Sequence, residues 1–168
     1  MAVRYFTDSC ADLTREYVDQ RDFSVIPLMF HVDGQDYWDD FGLSIHPHDF
    51  YDKLRAGNSS STTQITAERF TELFTPYLQA GSDVFYLCFS SGLSSTFDSA
   101  QLAATQLMDA FKGRKVYVVD SVSASMGQGL LMHHVLNLRD AGTGIEEIVK
   151  WTEENKRRLC HWFTVFDL

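Results

Sequence analysis

Hydrophobic positions along the chain alternate between two spacings. Short apolar, β-branched or aromatic runs at Val3–Phe6, Ser24–Val32, Val84–Phe89, Val116–Val119 and Trp162–Phe166 read as strands. Between them the period lengthens to that of a helix. In 67–78, Phe70, Leu73, Phe74 and Tyr77 fall at i, i+3, i+4 and i+7. In 95–111 the stripe is Phe97, Ala100, Ala104, Leu107, Met108 and Phe111. Leu130, Leu131, Val135 and Leu138 mark a helix over 123–139, and Ile145, Ile148, Val149 and Thr152 one over 145–159. Thr143, with Glu146 and Glu147 just after it, suits the start of that last helix. Strands alternating with helices predict an α/β fold, a mostly parallel sheet with helices on both faces.

In open sheets of this kind ligands bind beyond the carboxyl ends of the strands, so the residues following each strand carry the most information. They are Thr7-Asp8-Ser9-Cys10 after the first, Ser90-Ser91-Gly92-Leu93-Ser94-Ser95-Thr96 after the third, and Asp120-Ser121-Val122-Ser123 after the fourth. A further hydroxyl run, Ser59–Thr63, precedes a helix and reads as a working loop. Helix capping explains one or two hydroxyls per loop. It leaves the five in 90–96 unexplained. An anion site is the sharper reading: Gly92 lets backbone approach a ligand, helix N-termini carry partial positive charge, and hydroxyls add donors. These loops hold no Lys or Arg. That argues against a triphosphate and for one carboxylate, which neutral donors can satisfy.

Charge narrows the classes further. The chain of 168 residues has 14 Lys plus Arg against 23 Asp plus Glu, a net charge of −9. Nucleic-acid binding is disfavoured, because the phosphate backbone demands clustered cations. The acids Asp33, Asp36, Asp39 and Asp40 read as a solvated face; a calcium loop is the weaker alternative, since no closing Glu follows. Three scattered cysteines without a C-x-x-C disfavour a zinc site or a disulfide framework. His46-Pro47-His48-Asp49 reads as a helix start before it reads as a metal site, and no metal is expected. Gly127-Gln128-Gly129 has two glycines of a dinucleotide fingerprint but sits inside a helical pattern. No long apolar run and no secretory leader pattern is seen, so a cytoplasmic protein is expected.

Five ordered segments resemble the DegV family. Phe6-Thr7-Asp8-Ser9-Cys10-Ala11-Asp12-Leu13 is similar to its TDSxADL opening, and Val25-Ile26-Pro27-Leu28 to its second strand. Ser61-Thr62-Thr63-Gln64 resembles its TSQ loop. The run from Ser90 to Ala100 resembles SSGLSGTYxSA, with Ser95 at a usual glycine. Val118-Val119-Asp120-Ser121 with Gly127-Gln128-Gly129 resembles VDS…GxG. The resemblance implies a three-layer DegV N-terminal domain over 1–168, with the family's second domain absent. It implies a non-catalytic protein without cofactor that holds one long-chain fatty acid and presents it to a fatty acid kinase subunit, in the B-subunit manner, and that touches membranes only peripherally for lipid exchange. The carboxylate would meet Thr62, Thr63, Ser91, Gly92, Ser94 and Ser95; Asp8, Ser9 and Ser121 would line the same crevice less directly. The acyl tail would lie in an apolar slot between the family's two domains; the sequence does not single out its lining, and Phe30, Phe89 and Leu93 read equally as plain core. An enzyme acting on a small phosphorylated or hydroxylated substrate in the same crevice is the alternative reading.

Overall fold

The computed structural model describes residues 2–162 and residue 164. Four strands, β1 (Val3–Asp8), β2 (Ser24–Ile26), β6 (Asp83–Cys88) and β7 (Val116–Asp120), form a parallel sheet in the order β2-β1-β6-β7. Three others, β3 (Met29–Val32), β4 (Gln35–Trp38) and β5 (Ser60–Thr63), form a separate antiparallel sheet in the order β4-β3-β5. The helices are α1 (Arg15–Arg21), α2 (Pro47–Arg55), α3 (Ala67–Gln79), α4 (Thr96–Ala110), α5 (Ser125–Asp140) and α6 (Ile145–Asn155). The strand expected over Trp162–Phe166 lies outside the described residues, apart from Trp162 and Thr164.

All six residues of β6 are buried, as a strand covered on both faces must be. Its side chains alternate between two cores. Val84, Tyr86 and Cys88 join Phe6 and Val116 under α3 and α4, with Phe70, Phe74, Ala100 and Leu107. Phe85 and Leu87 join Tyr5 and Val119 on the opposite face, with Val18 of α1, Leu131, Met132 and Val135 of α5 and Ile148 of α6. The helix–sheet–helix sandwich follows directly from that alternation.

The single run expected over Ser24–Val32 is two strands in two sheets. Pro27 has no N–H to give a ladder, and the next residue is taken elsewhere. The Leu28 amide donates to Ser9 Oγ at 3.1 Å, and the Leu28 carbonyl accepts from the Asp39 amide at 2.8 Å. The chain therefore leaves the parallel sheet at Ile26 and starts the small sheet at Met29. The hydroxyl run read as a loop is largely β5, paired with β3 in the register Thr62–Phe30 and Thr63–Met29. The last helix is capped by Gly144, not Thr143, and stops at Asn155.

Candidate functional site

Chain order sets the location. From β1 the sheet grows outward to β2; the chain then returns to pair β6 on the other side of β1 and continues to β7. β1 and β6 thus flank the point where strand order reverses, where a crevice opens at their carboxyl ends.

Asp8, the last residue of β1, ties this edge together. It is fully buried. Oδ2 accepts from the Tyr86 hydroxyl at 2.7 Å and the Phe89 amide at 2.9 Å. Oδ1 accepts from the Cys10 amide at 3.2 Å and from Gln128 Nε2 at 3.0 Å. Burial pushes its pKa above the usual carboxylate value, and the four donors pull it back in part. Gln128 is buried on α5 and also donates to Thr7 Oγ1. Its neighbours explain the two glycines. A Cβ on Gly129 would meet the Ala11 carbonyl oxygen at 2.6 Å, and one on Gly127 the His161 ring at 2.7 Å. The pair is there for close packing of α5, in place of any dinucleotide contact.

The loop after β6 is tied to that after β7. The Ser90 amide donates to the Ser123 carbonyl at 3.1 Å. The Ser91 amide and hydroxyl donate to the two oxygens of Asp120 at 3.1 and 2.5 Å. Asp120 Oδ1 also accepts from Val122, whose φ of 53° is a left-handed conformation that costs a β-branched residue about 1–3 kcal/mol. Strain of that size persists only where neighbours fix it, and here Asp120 does so beside the serine loop.

Toward α4 the same loop meets the small sheet. Ser94 Oγ accepts from the Thr96 amide at 3.2 Å and lies 2.9 Å from Thr96 Oγ1. Thr96 Oγ1 in turn accepts from the Ile65 amide at 3.3 Å. Ile65 is two residues beyond Thr63, so this bond anchors the end of β5 against the start of α4. Thr63 Oγ1 donates to the Met29 carbonyl at 3.3 Å. Thr62 and Phe30, opposite each other in the ladder, line one groove. Ser95 caps α4 without a side-chain hydrogen bond and has a φ of −79°, so nothing in its backbone calls for glycine.

The structure therefore brings Ser94 and Ser95 close to the end of the Thr62–Thr63 strand, and directs Ser91 toward Asp120. Several loop amides expected to face a ligand are internally bonded: Gly92 donates to Ser90 Oγ at 3.3 Å, and Leu93 and Ser94 donate to the Ser90 carbonyl. Of the secondary residues, Asp8 and Ser121 are fully buried, with Ser121 donating to the Ser123 carbonyl, while Ser9 is half-buried. Of the three apolar residues weighed for the tail, Phe30 lines the groove under the small sheet, Leu93 is 67% exposed and Phe89 is half-buried. Sequence reasoning missed Gln128 and Tyr86 as the partners of Asp8. The buried Tyr inside an apolar strand was the available signal, since a buried hydroxyl needs a partner.

Other features lie apart from this edge. A cleft of about 780 Å³, lined by Val3, Tyr5, Lys115 and Glu146, opens at the amino ends of the strands. His48, Asp49 and Asp52 on α2 are close enough to share a cation, but all are exposed and Asp52 already pairs with His48 and Arg55. Among the described residues no helix is long and apolar enough to cross a membrane.

These features define an α/β domain with a hydroxyl-lined, cation-poor edge at its switch point. The DegV family model, described as an uncharacterised-protein family, matches residues 2–168. The chain belongs to the DegV family. A DegV domain-containing protein of Clostridium perfringens is 39% identical over 97% of this chain and 56% of its own length. A DegV family protein of Thermus thermophilus whose solved structure describes fatty acid binding is 31% identical, with a TM-score of 0.81 over 94% of this chain and 54% of that one. The Streptococcus pneumoniae fatty acid kinase B3 protein, loaded with linoleic acid, shares the fold at a TM-score of 0.77 and 23% identity, over 94% of this chain and 55% of its own. The chain thus spans little more than half the length of the relatives it matches.

Proposed function

We propose that this chain binds a long-chain fatty acid non-covalently, without catalysing its conversion, and presents the carboxylate to a fatty acid kinase subunit. Thr62, Ser94 and Ser95 supply the head-group donors; Thr63, whose hydroxyl donates to the Met29 carbonyl, and Ser91 and Gly92, whose donors are engaged by Asp120 and Ser90, shape the same edge. One observation carries the assignment. A hydroxyl has one proton and two acceptor positions. Ser94 Oγ already accepts from the Thr96 amide, and Thr96 Oγ1 already accepts from Ile65. Either hydroxyl can donate in the Ser94–Thr96 pair, and in the arrangement where Thr96 donates the Ser94 proton is free for a bound carboxylate. No Lys or Arg lies in the loop, so the donors suit a single negative charge. The bound fatty acids described for DegV relatives agree with a carboxylate.

In the kinase step a carboxylate oxygen would attack the terminal phosphorus of a nucleoside triphosphate held by the partner. The new bond is O–P, the bond to the bridging oxygen breaks, and a nucleoside diphosphate leaves with the electron pair. This chain's part is to hold and orient the carboxylate.

Organic extraction of the purified protein followed by mass spectrometry tests the ligand. Near-stoichiometric fatty acid is expected; its absence, together with no thermal shift on adding oleate, would sink the proposal. Ser94→Ala and Thr62→Ala should each weaken oleate binding by about 1.5–3 kcal/mol, the usual worth of a hydrogen bond to a charged group. Unchanged affinity in the double variant would move the head group elsewhere.

A further inference from the structure

We infer that Asp120 is a specificity-determining residue of the head-group edge, a built-in anion that leaves room there for one further negative charge; the inference rests on the fatty-acid reading above. Asp120 ends β7 and gathers three donors at the crevice. Oδ1 accepts from the Ser91 amide at 3.1 Å and the Val122 amide at 2.9 Å, and Oδ2 from the Ser91 hydroxyl at 2.5 Å. Two amides and a hydroxyl converging in this way are the donor set of an oxyanion nest. Here the protein's own carboxylate fills it. Val122 takes a left-handed φ of 53° to bring its amide to Asp120, a conformation that a β-branched residue keeps only where its surroundings enforce it.

The filled nest adjoins the proposed head-group donors. The Leu93 and Ser94 amides both donate to the Ser90 carbonyl, so one tight turn separates Ser91, which faces Asp120, from Ser94. None of the three partners of Asp120 is a cation. The segments 7–13, 90–96 and 120–125 hold no Lys or Arg. Their strand ends and loops bring Asp8, Cys10, Asp12 and Cys88 to this edge as the other titratable groups, and none of these can become positive. A monocarboxylate therefore brings its one charge to neutral donors. A phosphate monoester seated at the same position gains a second charge above a pKa of about 6. That added charge meets Asp120 with no cation to offset it.

Asp120→Asn tests the charge while keeping the shape. The asparagine oxygen can hold both amides, and its N–H₂ can donate to Ser91 Oγ, whose proton then turns outward as an extra donor. The delipidated parent and variant are titrated with oleate and with oleyl phosphate, which share one tail, at pH of about 5 and about 8, on either side of the phosphate pKa. The parent should prefer oleate at the higher pH, and should lose affinity for oleyl phosphate between the lower pH and the higher. In Asp120→Asn that preference should shrink at least about tenfold and the pH dependence of oleyl phosphate binding should flatten, with Tm near that of the parent. Val122→Gly accepts the left-handed φ without strain and keeps the amide, so its preference should match the parent's. If Asp120→Asn binds oleate with the parent's preference and pH profile, the inference is overturned and the fatty-acid reading stands. If Val122→Gly shifts the preference as far as Asp120→Asn does, loop shape sets it and the inference is overturned. If the delipidated parent binds oleate at neither pH, the fatty-acid reading fails and takes this inference with it.

Discussion

The two sheets of this molecule are built on opposite terms. Every residue of β6 is buried and every residue of β5 is exposed. The parallel sheet is held by side chains packed on both faces. The small sheet is held by its ladder, by Phe30 between Tyr37 and Phe50, and by two clips to the rest of the fold at Ser9 and Thr96. The first region is packed on both faces and so has a fixed geometry. The second exposes hydroxyls and aromatics that its own packing does not need, and that difference separates scaffold from working surface.

Removing one phenylalanine from each region tests the contrast most strongly. Phe74 is fully buried, with ring centroids 5.0 Å from Phe6 and 5.5 Å from Phe70. Phe74→Ala should cost about 3–5 kcal/mol, through lost transfer energy and a cavity that α3 cannot close. Phe50 is half-buried against Phe30 and Tyr51. Phe50→Ala should cost about 1 kcal/mol, since only part of its area leaves water on folding. Urea unfolding of both variants gives the comparison. Equal losses would show that the small sheet is as much a part of the cooperative core as β6.

Asp8 joins scaffold to site, and its effect should be next in size. In Asp8→Asn, the amide's own N–H₂ would face donors where a carboxylate oxygen now accepts. A buried mismatch of this kind costs about 1–3 kcal/mol. A pH series separates the charge from the shape. Because burial raises the folded-state pKa of Asp8 above its unfolded value, the folded protein holds the proton more tightly. Stability from this group is therefore fully present below the unfolded pKa and is lost as pH rises through the folded one. Asp8→Asn cannot titrate, so its deficit relative to the parent should be largest at low pH and shrink as pH rises past the ordinary carboxylate range. A deficit that is constant with pH would mean that folding leaves the pKa of Asp8 unchanged, and one that grows with pH would mean that the folded protein holds it ionised.

How much of this could be read from residues alone divides along the same line. The strands and helices of the sandwich announce themselves because burial imposes period: β6 as a continuous apolar run, α3 as Phe70, Phe74 and their neighbours at helical spacing. The small sheet has no such imprint. β5 reads Ser-Ser-Thr-Thr, and β4 reads Gln-Asp-Tyr-Trp, with three of its four residues exposed. A strand whose stability comes from its ladder leaves the binary pattern silent. α1 escaped for a related reason: of its seven residues only Val18 is buried. The hydroxyl loops were legible as a chemical class. Their hydrogen-bond direction was not, because whether Ser91 faces a ligand or Asp120 depends on two loops far apart in sequence.

The smallest effect is expected at Ser95, and it is informative because it is small. The resemblance puts a glycine at this position, yet the φ of −79° suits any residue and the side chain makes no capping bond. Serine leads glycine at a helix start by only a few tenths of a kcal/mol. Ser95→Gly should leave the Tm nearly unchanged, far less altered than by Phe50→Ala. Its effect on oleate affinity then reports contact alone. A loss of affinity with no loss of stability would place the Ser95 hydroxyl on the carboxylate. Unchanged affinity would leave Ser94 and Thr62 to hold the head group, with Ser95 a solvent-facing start to α4. A large drop in Tm would show instead that this end of the loop belongs to the scaffold, and would redraw the line between the two regions at Ser94.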